Sequence, residues 1–431
     1  VGVSVSREGL PPSGELPYRG EITISSDGNK PIHLTVTITV KRDVTVIVTD
    51  VRTMKNIKDA SVILNAMPEK KTNDLGEVIF KDFKESGDLP LEVSYGGFIS
   101  RYIHFKGNVN IPPSGDYELP ISLKTIRSVK GQITHFDFNV PNYVVFSPDS
   151  GRAYVTNERG NSVSVINVRD DKVFAKVNVG KAPLGIVYNP KRMEVYVANS
   201  GSDDVSVIDT QKLKEIKKID VGNNPTSLAV SSSGDLLYVV NHLRRPGGNT
   251  DGDVSVIDLN RRVETDVIPV GNKPYGVVIT PDDNILYVSN KKDGTVSIVD
   301  VWVKRQLSTI SVGSNPMDVV ISSDGRFVYV SNSGGSTVSM INTISKKVRD
   351  FDVGAIPRGI AVTDDFPDGD ILYVVIHSNS TVSVVDVSAG IVVKEVVRGF
   401  SFPLGIATTN DGTKMYVTNR EANSVSVLEF E

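Results

Sequence analysis

Tyr154-Val155-Thr156-Asn157 (YVTN) recurs six times with small changes: YVAN at Tyr196, YVVN at Tyr238, YVSN at Tyr287 and Tyr329, YVVI at Tyr373 and YVTN at Tyr416. The intervals between these tyrosines are 42, 42, 49, 42, 44 and 43 residues. A fixed period of this length built from several short strands is the pattern of propeller blades. Each period resolves into four strand-like runs, written in the second repeat as Leu184–Tyr188, Val195–Asn199, Val205–Asp209 and Ile216–Val221.

The connections carry turn chemistry. SPDSG, NPKRM, SSSGD, TPDDN, SSDGR and TNDGT separate first from second strands, rich in the Asp, Asn, Gly and Ser that tight hairpins use. Between blades runs V-G-x-x-P: Gly180 with Pro183, Gly222 with Pro225, Gly271 with Pro274, Gly313 with Pro316 and Gly354 with Pro357. Glycine is expected here to supply a positive φ, and proline to stiffen the entry to the next inner strand. LYVV and VSVI are near-continuous apolar runs, as strands covered on both faces require, so tyrosine and the next valine should pack against opposite neighbours.

The last repeat ends at Val425–Phe430 without a fourth strand, while Val129–Val140 (VKGQITHFDFNV) matches one. Pairing these two stretches would close a seven-bladed ring and remove its open edges. The predicted fold class is all-β: a seven-bladed propeller over 127–431 behind N-terminal β-sandwich modules.

With tyrosine motif, VSVID strand and V-G-x-x-P in hand, the chain from about Ser128 to Glu431 resembles the YVTN-repeat β-propellers of archaeal and bacterial surface-layer and cell-envelope proteins. It departs from the pattern at Ile376, which replaces the motif asparagine, and at Phe400–Phe402 in the last linker. Upstream, VTVIVTD, IKDASVIL, TNDLGEVIF and LEVSYGGF within residues 43–126 resemble a carboxypeptidase regulatory-like, transthyretin-like sandwich, a structural spacer. Residues 1–42 look like the closing half of a bacterial immunoglobulin-like repeat. Three strands bury too little to stand alone, so this part is expected to continue a longer protein or to self-assemble by borrowing strands.

Composition narrows function. With 47 basic and 51 acidic residues the net charge is −4, which gives no electrostatic case for nucleic acid. No apolar run approaches the ~20 residues of a membrane span. There is no cysteine, hence no disulfide, thiolate metal site or cysteine nucleophile. No G-x-S-x-G elbow, phosphate-cradling loop or dinucleotide fingerprint occurs.

His33, His104 and His135 read as strand residues. His242 and His377 directly follow the second strands of the third and sixth blades, equivalent places on one rim but too far apart to share a metal. Asp209, Asp258, Asp300, Asp386, Asn167 and Asn342 end third strands and read as turn openers. Two acidic inserts offer partial calcium sets: Asp251 and Asp253 in one, Asp364, Asp365, Asp368 and Asp370 in the other. Asn379-Ser380-Thr381 is a glycosylation acceptor triplet. The long third-blade loop with His242, Arg244 and Arg245 shares its face with Lys291, Lys292 and Arg420, and is the expected binding surface. Trp302, at an outer hairpin, is a candidate anchor for another protein.

The expectation is a non-enzymatic, extracellular structural or adhesion protein contacting other surface proteins or glycans, with no cofactor beyond calcium. A filament subunit and a lactonase- or lyase-type propeller enzyme are the alternatives.

Overall fold

In the computed structural model, residues 126–243, 252–365, 369–387 and 390–430 are described, and of residues 1–125 the strands alone. Every regular element among them is a strand. Contacts divide the chain into two units, Val1–Ser128 with Glu429–Glu431, and Val129–Leu428.

In the first unit, one sheet orders Tyr117–Pro120, Gly2–Ser6, Tyr18–Thr23, Leu34–Val40, Val44–Asp50 and Lys55–Asn56, with Glu77–Phe80 also on Val44–Asp50. A second sheet pairs Arg101–Ile111, Gly87–Gly97, Ser61–Leu64 and Lys70–Lys71. The connecting loops lie outside the described residues.

The second unit is a seven-bladed propeller of seven four-stranded antiparallel sheets. Six blades follow chain order from an innermost strand outward, beginning with Pro141–Phe146, Arg152–Asn157, Ser162–Asn167 and Lys172–Asn178. In the seventh, Ile126–Thr134 lies beside Ser424–Phe430 as outermost strand, so the sheet's two ends come from opposite ends of the unit.

The apolar cores lie between blades. Tyr154 packs with Val195, Val197 and Ile208 of the second blade, while its neighbour Val155 packs with Tyr416 and Val425 of the seventh. Tyr238 against Leu286 and Val288, and Tyr329 against Leu372 and Val374, repeat the arrangement. Alternation along the strand thus sends each motif tyrosine toward one neighbouring blade and its valine toward the other.

The last two motif positions are buried, and where they are polar they tie strands together. The amide of Asn157, Asn199, Asn241, Asn290, Asn332 and Asn419 donates Nδ2–H to the third-strand serine of its own blade at 2.8–2.9 Å. The preceding hydroxyl latches blade to blade. Thr156 accepts from Tyr143 N–H and donates to the Leu184 carbonyl of the next blade at 2.8 Å. Ser289 does the same between Gly276 and Met317, and Thr418 closes the ring on Asn142 at 2.5 Å. In the third blade the motif has Val240 instead, and Thr226 supplies the hydroxyl to Tyr275.

The linker glycines correct an expectation. Gly180, Gly222, Gly271 and Gly313 do not have positive φ; Gly354 does, at 110°. A Cβ on the first four would sit 2.5–2.6 Å from the motif asparagine of the following blade. Space for that amide, not backbone freedom, requires glycine. In the sixth blade, where Ile376 replaces asparagine, the nearest atom to a Cβ on Gly354 is 3.4 Å away. The left-handed residue is the one before each proline: Val140, Ala182, Asn224, Lys273, Asn315, Ile356 and Phe402, at φ 47–57°.

Candidate functional site

Each left-handed pre-proline carbonyl accepts the N–H of the residue after the motif, which fixes seven side chains around one mouth of the channel. The positions are Glu158, Ser200, His242, Lys291, Ser333, His377 and Arg420. Two of the bonds span 3.2–3.3 Å, His377 to Ile356 and Arg420 to Phe402; His242 to Asn224 and Lys291 to Lys273 are 3.0 Å.

Two histidines on this rim are held alike. Nδ1 of His242 lies 3.0 Å from the Pro274 carbonyl, and Nδ1 of His377 lies 3.0 Å from that of Pro403. A carbonyl only accepts, so Nδ1 carries a hydrogen in both, and in the neutral ring Nε2 keeps its lone pair. This is the arrangement in which a second group orients an imidazole for a metal. Burial lowers the His242 pKa, aided by the Lys291 and Lys273 charges, so its ring is neutral at pH 7. Its ring meets Tyr275 edge-on at 6.0 Å, and that of His377 meets Phe402 at 5.2 Å.

A cavity of about 590 Å³ opens at this mouth where the sixth, seventh and first blades meet. His377, Phe402, Arg420 and Arg159 line it, with Glu421 and Asn423. Its size falls in the roughly 300–1,000 Å³ range of ligand pockets. Arg420 pairs with Glu158 at 2.5 Å, and the exposed Arg159 brings a second guanidinium.

Inside the channel, residues just after the inner-strand prolines form a polar cluster. Burial pushes up the phenols of Tyr143 in the first blade and Tyr275 in the fourth, and each acts on the other. Asp318 of the fifth accepts N–H bonds from Ile360 at 2.9 Å and from Val319 at 3.2 Å. Burial nevertheless raises its carboxyl to about 6, since two amides do not replace water. These side chains keep some surface toward the channel, yet protein surrounds them. Arg358 of the sixth blade points Nη1 at the Met317 sulfur, and its shielded Nε has no partner. The Lys291 ammonium sits 5.5 Å from the Tyr275 ring centre, and burial, then repulsion by Arg358 and Lys273, lowers its pKa.

Of the residues expected from sequence, His242 and Lys291 meet the Tyr275 ring and Arg420 pairs with Glu158 at the cavity, whereas Lys292 is exposed with its N–H on Asn272. Arg244, Arg245, Asp251 and Asp368 lie outside the described residues. Asp253 is buried and accepts from Asn241 at 2.6 Å. Asp370 accepts from the Tyr329 hydroxyl; Asp364 and Asp365 stand in a strand whose pairing sets Asp364 opposite Asp370. No group of three metal-ligating side chains forms among the described residues. Asn379 is exposed in a turn, its Oδ1 accepting from Thr381. Asp209, Asp258, Asp300, Asn167 and Asn342 accept the N–H two residues on, as turn openers do. His135 falls just past a strand, beside Asp137 at 3.3 Å, not within one.

The channel cluster is what sequence reading missed. The signal was the residue pair after each inner-strand proline: Leu-Gly, Tyr-Gly, Arg-Gly and Leu-Gly in four blades, but Asn142-Tyr143, Thr226-Ser227 and Met317-Asp318 in the others.

Residues 248–348, the outer half of the third blade, the fourth blade and the first three strands of the fifth, match the family model described as Cytochrome D1 heme domain. A chain titled Kuenenia stuttgartiensis Hydrazine Synthase is 25% identical, with 70% of this chain and 98% of that one covered, at a TM-score of 0.61. The Myceliophteria thermophila Cps50 (Swd1) β-propeller domain is 12% identical, covering 70% and 99%, at a TM-score of 0.60, and shares the fold alone. No curated protein matches the chain.

The heme-domain match overturns the expectation of a chain without cofactor, calcium apart. The mouth fits such a group. Heme iron needs one protein ligand on an axial side, and His377 and His242 are each oriented with Nε2 available. Phe402 and Tyr275 offer aromatic walls, and Arg159, Arg420 and Lys291 offer cations for carboxylates. Lacking cysteine, the chain can hold the macrocycle only without thioether links.

Proposed function

We propose that the propeller is a binding module that holds a heme-class macrocycle at the asparagine-side mouth, in the cavity beside His377. The observation that carries this reading is the His377 ring, its Nδ1–H on the Pro403 carbonyl, at the wall of a cavity with Phe402 and two guanidiniums. His377 would take the iron, Phe402 would cover one edge of the ring system, and Arg159 with Arg420 would bind its carboxylates. Bound there, the macrocycle would supply an iron center for electron transfer or small-ligand binding.

Titration of hemin into the full chain should give a saturable one-to-one shift of the Soret band. His377→Ala should weaken it at least tenfold or change the ligand-field bands, and His242→Ala should leave both as in wild type. Loss in His242→Ala alone, or an unsaturable shift in wild type, would refute the placement.

A cell-surface setting, implied by the repeat's resemblance, is a second proposal. It is favored by the outer wall of the third and fourth blades, where Trp302 is 76% exposed beside exposed Val303, Leu307, Val263 and Val267. An apolar strip with a tryptophan suits a protein partner. Fractionation of native cells, with the chain found only in the cytosol, would end this reading.

A further inference from the structure

We propose that the channel interior, beneath the mouth, is a site for one small oxyanion or carboxylate, held by Arg358 and the Tyr143–Tyr275 pair with Lys291 alongside. The site does not depend on a macrocycle at the mouth.

The argument starts from an unmet donor. Arg358 Nε is shielded from solvent and bonds nothing, although a guanidinium carries five N–H groups and accepts none. Its Nη1 faces the Met317 thioether, a weak acceptor. No carboxylate pairs with it among the described residues. Asp318 is in the same cluster, but its oxygens accept the backbone N–H groups of Val319 and Ile360. A buried cation in this state costs stability unless an anion completes it.

The other groups point the same way. The Tyr143 and Tyr275 phenols act on each other and on the Arg358 guanidinium, and both stay protonated, so each has an O–H to give. Lys291 has its charge over the Tyr275 ring. Burial first, and then repulsion by Arg420 on Arg358 and by Arg358 and Lys273 on Lys291, lowers the pKa of both cations. Three cations thus act on the same two phenols or on one another, and of the three only Arg420 is paired with a carboxylate. Charge-assisted N–H and O–H donors of this kind bind an acetate or phosphate oxygen.

The test uses the full chain without heme, titrated calorimetrically with sodium acetate and, separately, sodium phosphate at constant ionic strength. One saturable site for at least one of them is expected, weakened at least tenfold in Arg358→Met and severalfold in Tyr143→Phe, and unchanged in Arg152→Met on the opposite face. Tyr143→Phe keeps the ring's shape, so the test survives a folding defect in Arg358→Met. Absence of a saturable site, or equal affinity in Tyr143→Phe and wild type, would overturn the proposal. A second arm repeats the titration after hemin loading. Unchanged anion affinity supports two separate sites; competition identifies the occupant as the macrocycle's own carboxylate and refutes a free-anion site. His377→Ala distinguishes the two readings, because it should weaken hemin binding or change its ligand-field bands while leaving the anion heat intact.

Discussion

Gly405→Ala should destabilise the propeller by about 3 kcal/mol or more and lower its calorimetric midpoint by several degrees. Gly405 is buried where the innermost strand of the seventh blade meets that of the first. A Cβ there would lie 2.3 Å from the Asn142 carbonyl oxygen and 3.0 Å from the Tyr143 Cα. Both are backbone atoms, so no flexible side chain can swing aside. Relief requires the two strands to separate, which stretches the 2.5 Å bond from Thr418 Oγ1 to that same carbonyl. The strain falls at the junction where the ring closes on itself. Gly335→Ala is the control: its nearest neighbour would be 3.9 Å away, and a change within about 0.5 kcal/mol is expected. Unfolding of both variants within a degree of wild type in scanning calorimetry would show that the inner strands yield freely and that close packing there is not needed.

The ring was readable because its physics is periodic. Tyr154 and its six counterparts each face one neighbouring blade, so a single packing problem is solved seven times and its solution repeats in the sequence. That a strand was missing at the end and a spare one lay at the start was legible for the same reason, but the partner of Ser424–Phe430 is Ile126–Thr134, and residues 135–140 of the expected 129–140 segment lie beyond it. Reasons were harder to read than positions. Gly222 marked a linker correctly, but its cause, an Asn241 amide 2.5 Å from where a Cβ would stand, lies in the next blade. The site was least legible because function lives where the repeat is broken. Tyr143 and Asp318 occupy places where Gly185, Gly276, Gly359 and Gly405 each meet the backbone of the next inner strand. Such substitutions look like noise along the chain, and only closure of the ring brings residues 143, 275, 318 and 358 to one axis. The rim histidines were visible, yet their Pro274 and Pro403 carbonyl partners sit 32 and 26 residues away.

Asp318 makes the propeller more stable in mild acid than in base. Its folded pKa of about 6 exceeds that of an unfolded aspartate, so the native state holds the proton more tightly. The contribution is therefore fully present below about pH 4 and disappears as pH rises through 6. A shift of roughly two units corresponds to about 3 kcal/mol at most, and water in the channel reduces it to about 1–3 kcal/mol. The groups around the carboxylate fix the sign. Tyr143 and Tyr275 are neutral throughout this range, and the cations of the cluster are turned to Met317 and Tyr275. His242 acts oppositely: its lowered pKa removes stability as pH falls, so wild type alone would blend two slopes. The difference between wild type and Asp318→Asn isolates the carboxyl. Denaturant unfolding at pH 8 should find Asp318→Asn equal to or more stable than wild type, because amide burial avoids the charge. At pH 5 the order should reverse, as the protonated acid keeps the bonds from Val319 and Ile360 while the amide, with one oxygen, leaves one of them unmet. Identical pH profiles for the two proteins would mean that Asp318 stays ionised in the fold, and that the channel is far wetter than its enclosed side chains imply.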